Sequence, residues 1–116
     1  MPPDVLGTLE DIIEAAGYIV EDTDGITYEA FLDDRRTRQA VERNFMTIGE
    51  AVNRLRRHAP DVAAQITEVH AIVAFRNALM HDYDDVSYPD VWLTVQESLP
   101  VLRAEVETLL READAR

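Results

Sequence analysis

The chain has 116 residues, a formal net charge of −12 and no cysteine, and all of its 11 basic side chains are arginine. Length sets a prior of one domain over residues 1–116 with a single core, and the missing thiols exclude disulfides, zinc–thiolate sites and cysteine nucleophiles. The acidic balance argues against broad, non-specific nucleic-acid binding, which runs on phosphate neutralisation.

Helical periodicity dominates, and no segment alternates as a strand does. Leu6, Leu9, Ile13, Ala16 and Val20 define a first helix over residues 3–22. Asp22-Thr23-Asp24-Gly25 is a turn signal. Residues 27–32 form a short capped turn with Thr27 as N-cap. Asp33 or Asp34 opens a second long helix running to Arg57, with an apolar stripe of Ala40, Val41, Phe45, Ile48, Val52 and Leu55. Gly49 sits inside that helix, where glycine costs stability; it marks either a close helix–helix approach or room for a ligand. His58-Ala59-Pro60-Asp61 breaks the helix. A third helical region covers residues 61–83, with a break near Thr67, and holds Ile66, Val69, Ile72, Val73, Phe75 and Leu79 as core candidates. Pro89 fits the first turn of a fourth helix over residues 89–113, in which Pro100 marks a kink or a division. The expected fold is all-α: an up-and-down four-helix bundle with a short extra helical turn between helices 1 and 2. No apolar run reaches the roughly 18 residues of a membrane span, and Met1-Pro2-Pro3-Asp4 does not begin a signal peptide. The expectation is a cytoplasmic protein without membrane contact.

Arg76, Asn77, His81 and Tyr83 fall within eight residues, in the pattern R-x4-H-x-Y. At about 100° per residue, Arg76 and Tyr83 share one stripe of the third helix, and Asn77 and His81 a neighbouring one. Arginine grips phosphate in a fixed fork and histidine moves protons near neutral pH. Together they suit RNA cleavage by the neighbouring 2′-hydroxyl. His81 would act as acid or base, Arg76 would neutralise the phosphorane oxygens, and Asn77 would orient the histidine or a phosphate oxygen. The plainer alternative is that Arg76 and His81 are favourable charges at a helix C-terminus. A two-fold dimer would double a site that is thin in one copy. Arg54, Arg56 and Arg57 form a local basic cluster, either an extension of an RNA path or a solvated helix face. His70 reads as structural. No Glu-x-x-His pair or other ligand set supports a metal site.

These residues and their surroundings resemble the HEPN superfamily, and more closely its HepT toxin family, also called DUF86. The likeness extends over residues 5–110: Asp33-Asp34-Arg35 with Gln39 to Asn44, Ile48-Gly49-Glu50-Ala51 with Asn53, the motif itself, Val91 to Val95, and Leu99-Pro100. The resemblance implies a helical homodimer with R-x4-H motifs meeting at the interface. It implies a metal-independent endoribonuclease toxin, acting on tRNA or mRNA, of a type VII toxin–antitoxin system. Its partner would be an MntA-like minimal nucleotidyltransferase that uses ATP to adenylylate Tyr83; the chain itself would need no cofactor. By position, Arg76, His81 and Asn77 would be catalytic; Arg54, Arg56 and Arg57 stay open between an RNA path and a solvated helix face. Asp82, Asp84 and Asp85 place an acidic flank beside the motif. The competing reading is a non-catalytic helical dimer that presents its tyrosine to the nucleotidyltransferase.

Overall fold

The structure, a computed structural model, describes residues 1–81 and 86–114; Tyr83 and the acidic residues Asp82, Asp84 and Asp85 lie outside the described residues. Its elements are α1 (Pro3–Thr23), α2 (Tyr28–Asp33), α3 (Arg35–His58), α4 (Pro60–Ala63), α5 (Val69–His81), α6 (Tyr88–Leu93), a π-helical turn (Thr94–Ser98) and α7 (Leu99–Asp114). The described residues contain no strand. The all-α bundle expected from periodicity is the fold observed.

Local chemistry sets most boundaries. Thr27 caps α2 by accepting from the Ala30 N–H at 3.1 Å. The Asp34 carboxylate caps α3 through the Arg36 and Thr37 N–H groups at 3.1 and 3.3 Å and accepts from the Thr37 hydroxyl at 2.8 Å. Each cap satisfies donors that the first helical turn cannot pair internally. The break near Thr67 is real: the chain leaves α4 through turns, and Glu105 of α7 accepts from the Thr67 N–H at 3.1 Å and from its hydroxyl at 2.5 Å. That bond fixes the point from which α5 starts.

The division at Pro100 takes a specific form. Proline has no N–H and would clash with the preceding turn of a continuous α-helix. The chain instead widens just before it, and the Leu99 N–H reaches back five residues to the Thr94 carbonyl. A π turn absorbs the mismatch.

The core runs through α1, α3 and α7, where Leu9, Ile12, Ile19, Val41, Ile48, Val52, Leu55 and Val106 are almost fully buried. On α1 the buried stripe is Val5, Leu9, Ile12, Ala16 and Ile19, rotated from the predicted one; Val20 is exposed and Ile13 only half-buried. The helix carries two adjacent apolar stripes and is packed by both α3 and α7, so its centre of burial lies between them. An aromatic cluster docks α2 on α6, with Phe31 and Trp92 ring centroids 5.1 Å apart. A T-shaped pair, Phe45 and Phe75 at 5.2 Å, holds α5 against α3. Contacts of this kind add about 0.5–1.5 kcal/mol beyond area burial.

Helix α5 is the exception to orderly burial. Leu79 is its one buried side chain among the described residues; Ile72, Val73 and Phe75, expected in the core, are half-buried. Ala71, Ala74 and Ala78 are exposed. It packs chiefly on α3, at the edge of the bundle.

Candidate functional site

The site is built where α5 crosses α3. The two run antiparallel: Ile72 and Arg76 meet Gly49, Phe75 meets Phe45, and Leu79 shares a cavity wall with Glu42 and Met46. Gly49 is buried, and a Cβ built on it would stand 2.6 Å from Arg76 Cγ and closer still to Arg76 Cβ. The glycine therefore permits a close approach, and the side chain it admits is the motif arginine. Of the two readings of Gly49, the structure bears out the close helix–helix approach.

Arg76 is half-buried and its Nη1 donates to Asn77 Oδ1 at 3.0 Å. Its Nε is buried and has no hydrogen-bond partner among the described residues. The stem is thus fixed by packing and one guanidinium nitrogen by Asn77, while a buried donor is left unused. Asn77 orients the arginine, where the sequence had suggested the histidine or a phosphate. His81 is exposed and is the last residue of α5.

His70 belongs with these residues. It precedes Asn77 by seven and His81 by eleven, so the three lie within about 20–40° of one another around α5. All three are exposed. Measuring only from Arg76 hides this alignment; the seven-residue spacing to Asn77 was the available signal.

The basic residues divide by face. Helix α3 carries Arg35, Arg36, Arg38, Arg43, Arg54, Arg56 and Arg57 against Glu42 and Glu50. By contrast, α1 carries Asp4, Glu10, Asp11, Glu14, Glu21 and Asp22 with no basic residue. A cationic helix thus lies on an acidic body. Arg54 is turned away from α5, paired with Asp11 of α1 at 3.3 Å. Arg56 follows Gly49 by seven residues and so shares the side that meets Arg76, with Arg57 adjacent and exposed. Of the three predicted RNA contacts, Arg54 is tied to α1, Arg56 is half-buried and Arg57 exposed. Among the described residues no group of three or more carboxylate, histidine or cysteine side chains could hold a metal ion. No helix among them is long and apolar enough to cross a membrane.

Comparison with known proteins agrees in kind with this geometry. A family model described as ribonuclease HepT-like matches residues 12–109. The chain is similar to "Putative RNase MJ1380" of Methanocaldococcus jannaschii, at 35% identity over 108 residues that cover 90% of this chain and 94% of that protein. It is similar to "Probable ribonuclease HepT" of Thermococcus cleftensis, at 36% identity over 105 residues covering 87% and 91%. A chain matched over nearly its whole length, with an arginine and a histidine set beside a cationic helix, belongs to the ribonuclease HepT-like family.

Proposed function

We propose that the chain is a metal-independent endoribonuclease toxin whose composite site forms when two copies bring their Arg76, Asn77 and His81 together. The observation that carries this reading is the fixed Arg76: its stem lies against Gly49, its fork is steered by Asn77, and its Nε has a spare donor. A pre-positioned guanidinium is what stabilises charge developing on a pentavalent phosphate without reorganisation. His81, exposed at the end of the same helix, supplies the proton transfer. Cleavage by the 2′-hydroxyl needs a base to take its proton and an acid to protonate the leaving 5′-oxygen. Two histidines from a two-fold pair fill both roles.

The exposed face of α5 supports the pairing. Ala71, Ala74 and Ala78 flank His70, Asn77 and His81 on a helix with one buried residue. Small residues let a second helix approach closely, and an isologous interface uses the same face twice. In this reading an MntA-like nucleotidyltransferase spends ATP to adenylylate Tyr83 as the off-switch. The added phosphate pairs with Arg76 and takes the place of substrate phosphate.

Expression of the chain alone, with RNA integrity and growth followed, tests the proposal. Arrest and RNA cleavage, both lost in Arg76→Ala and His81→Ala, are expected. Cleavage unchanged in both variants overturns the site. Mass spectrometry after co-expression with the nucleotidyltransferase should find AMP on Tyr83. Full inhibition with modification only elsewhere overturns the switch.

A further inference from the structure

Cleavage by the 2′-hydroxyl needs two proton-transfer groups, and the chain has three histidines to supply them: His58, His70 and His81. His58 is the last residue of α3. His70 and His81 stand at opposite ends of α5, and both are exposed. They are eleven residues apart, about 16 Å along the helix axis. The attacking 2′-oxygen and the departing 5′-oxygen share one phosphorus, so His70 and His81 of a single chain cannot both serve it.

A second copy removes the distance. Measured around α5 from Ala74, the residues His70, Asn77 and His81 all fall about 20–60° to one side, and Ala71 and Ala78 about 40–60° to the other. A two-fold pair with α5 antiparallel to its copy keeps both histidine edges on the same side. A parallel pair sends them to opposite sides. The three alanines are exposed, and their small side chains set the point of closest approach. They are centred between Ala74 and Phe75, one residue from the midpoint of His70 and His81. An antiparallel pair centred there brings His70 to within about 3 Å of the partner's His81 along the shared axis, and leaves the two copies of His81 about 20 Å apart. Arg76 lies about 7 Å along α5 from His81, within reach of its long stem. Its Nη1 donates to Asn77 Oδ1 at 3.0 Å, which turns the fork toward the histidine edge. Its buried Nε has no partner among the described residues.

We propose that His70 is the second catalytic histidine, acting together with the partner's His81, so that each pair of chains holds two cleavage sites. The proposal rests on the ribonuclease reading. In each site one imidazole takes the proton of the 2′-hydroxyl. The 2′-oxygen attacks phosphorus and the bond from phosphorus to the 5′-oxygen breaks. The other histidine, as imidazolium, gives its proton to the leaving 5′-oxygen. Arg76 faces the charge that gathers on the non-bridging oxygens. The products are a 2′,3′-cyclic phosphate and a 5′-hydroxyl, and the two histidines have exchanged protonation states.

The test uses full-length chains carrying His70→Ala or His81→Ala, each alone and as a mixed pair isolated through two different affinity tags. Alone, each variant should keep its helical circular dichroism and lose roughly 10²–10⁴-fold in cleavage of a short RNA, the range of one general acid or base. In the mixed pair one of the two sites regains both histidines, so about half of the parent activity should return. An oligonucleotide with sulfur in place of the bridging 5′-oxygen needs no general acid. One of the two variants should cut it near the parent rate, which assigns the acid to that histidine. Parent-like cleavage by His70→Ala beside an inactive His81→Ala overturns the proposal and leaves the ribonuclease reading standing. So do two inactive variants whose mixed pair stays inactive, or a sulfur substrate that rescues neither. A parent chain that cuts no RNA, or cleavage that survives both Arg76→Ala and His81→Ala, sinks the ribonuclease reading itself.

Discussion

Gly49 of α3 and Arg76 of α5 approach so closely that no β-carbon fits between them: one built on Gly49 would lie 2.6 Å from Arg76 Cγ. In an ordinary helix interior, Gly→Ala stabilises by up to about 1 kcal/mol. Here the added methyl must push α5 off α3, and overpacking of this kind costs about 1–3 kcal/mol. Gly49→Ala should therefore lower the melting temperature, and cleavage should fall further than the stability loss explains, because Arg76 moves with α5. A thermal melt paired with an RNA cleavage assay reads both. An alanine variant as stable as the parent contradicts the close approach.

How much of this was legible in the sequence differs by element. Thr27 announces the start of α2, and the Asp33-Asp34 pair that of α3, because a capping side chain acts on residues two or three positions away; the structure selects Asp34. The break at Thr67 was visible, but its partner Glu105 is 38 residues distant and nothing local points to it. Arg76 and His81 stood out by type and spacing. Gly49 was recognised as costly without its partner being named, since a contact between helices has no signature in either one alone. The split among Arg54, Arg56 and Arg57 required knowing which face of α3 meets α1. Tyr83 lies outside the described residues, so its role rests on position within the motif.

Asn77 holds Arg76 through one hydrogen bond of 3.0 Å. Asn77→Ala removes the acceptor and frees the guanidinium, so kcat should drop about tenfold or more with a smaller change in KM, the pattern of an interaction that matters most in the transition state. Arg76→Lys should be far more damaging than its conserved charge suggests, because lysine lacks the planar fork. Steady-state kinetics on a short fluorogenic RNA separates these effects. An Asn77→Ala enzyme altered in KM alone would assign Asn77 to substrate binding instead.

The cationic face of α3 should be readable in salt dependence. Arg56 shares the side of α3 that carries Gly49, and Arg57 is exposed beside it, so replacing either with alanine should weaken RNA binding and reduce the salt slope by about one phosphate contact. Arg54 is occupied by Asp11 at 3.3 Å, and Arg54→Ala should leave that slope unchanged. Filter binding of single-stranded RNA across a salt series gives the three slopes. Equal loss in all three would mean that the Asp11 pair opens when RNA binds.

Two carboxylates pull the pH dependence of stability in opposite directions. Hydrogen bonds from Thr37 lower the Asp34 carboxyl from its ordinary value of 3.8. Its contribution is therefore present above 3.8 and is lost as pH falls through the depressed folded-state value. Burial raises the Glu42 carboxyl from 4.5. Its folded state prefers the proton, so it carries no penalty below 4.5 and a full penalty once pH passes the raised folded-state value. Glu42→Gln should then melt higher than the parent at neutral pH, with the gain fading in acid. Asp34→Asn keeps a capping acceptor and should flatten the acid limb. Melting curves across this range decide both.

The proposed pairing of two chains through the exposed face of α5 can be tested by one substitution. Ala74 is exposed between His70 and Asn77 along α5. Arginine there is a good helix former and meets no neighbour within the chain's own core, so Ala74→Arg should leave the monomer folded. In the proposed pairing it places a long cation on that small-residue face, twice over if the pair is isologous. The variant should sediment as a monomer, keep its helical circular dichroism and lose cleavage. Mixing it with an His81→Ala chain should not restore activity, since neither combination rebuilds a face that closes. A folded monomer that still cuts RNA would show that one Arg76 and one His81 suffice.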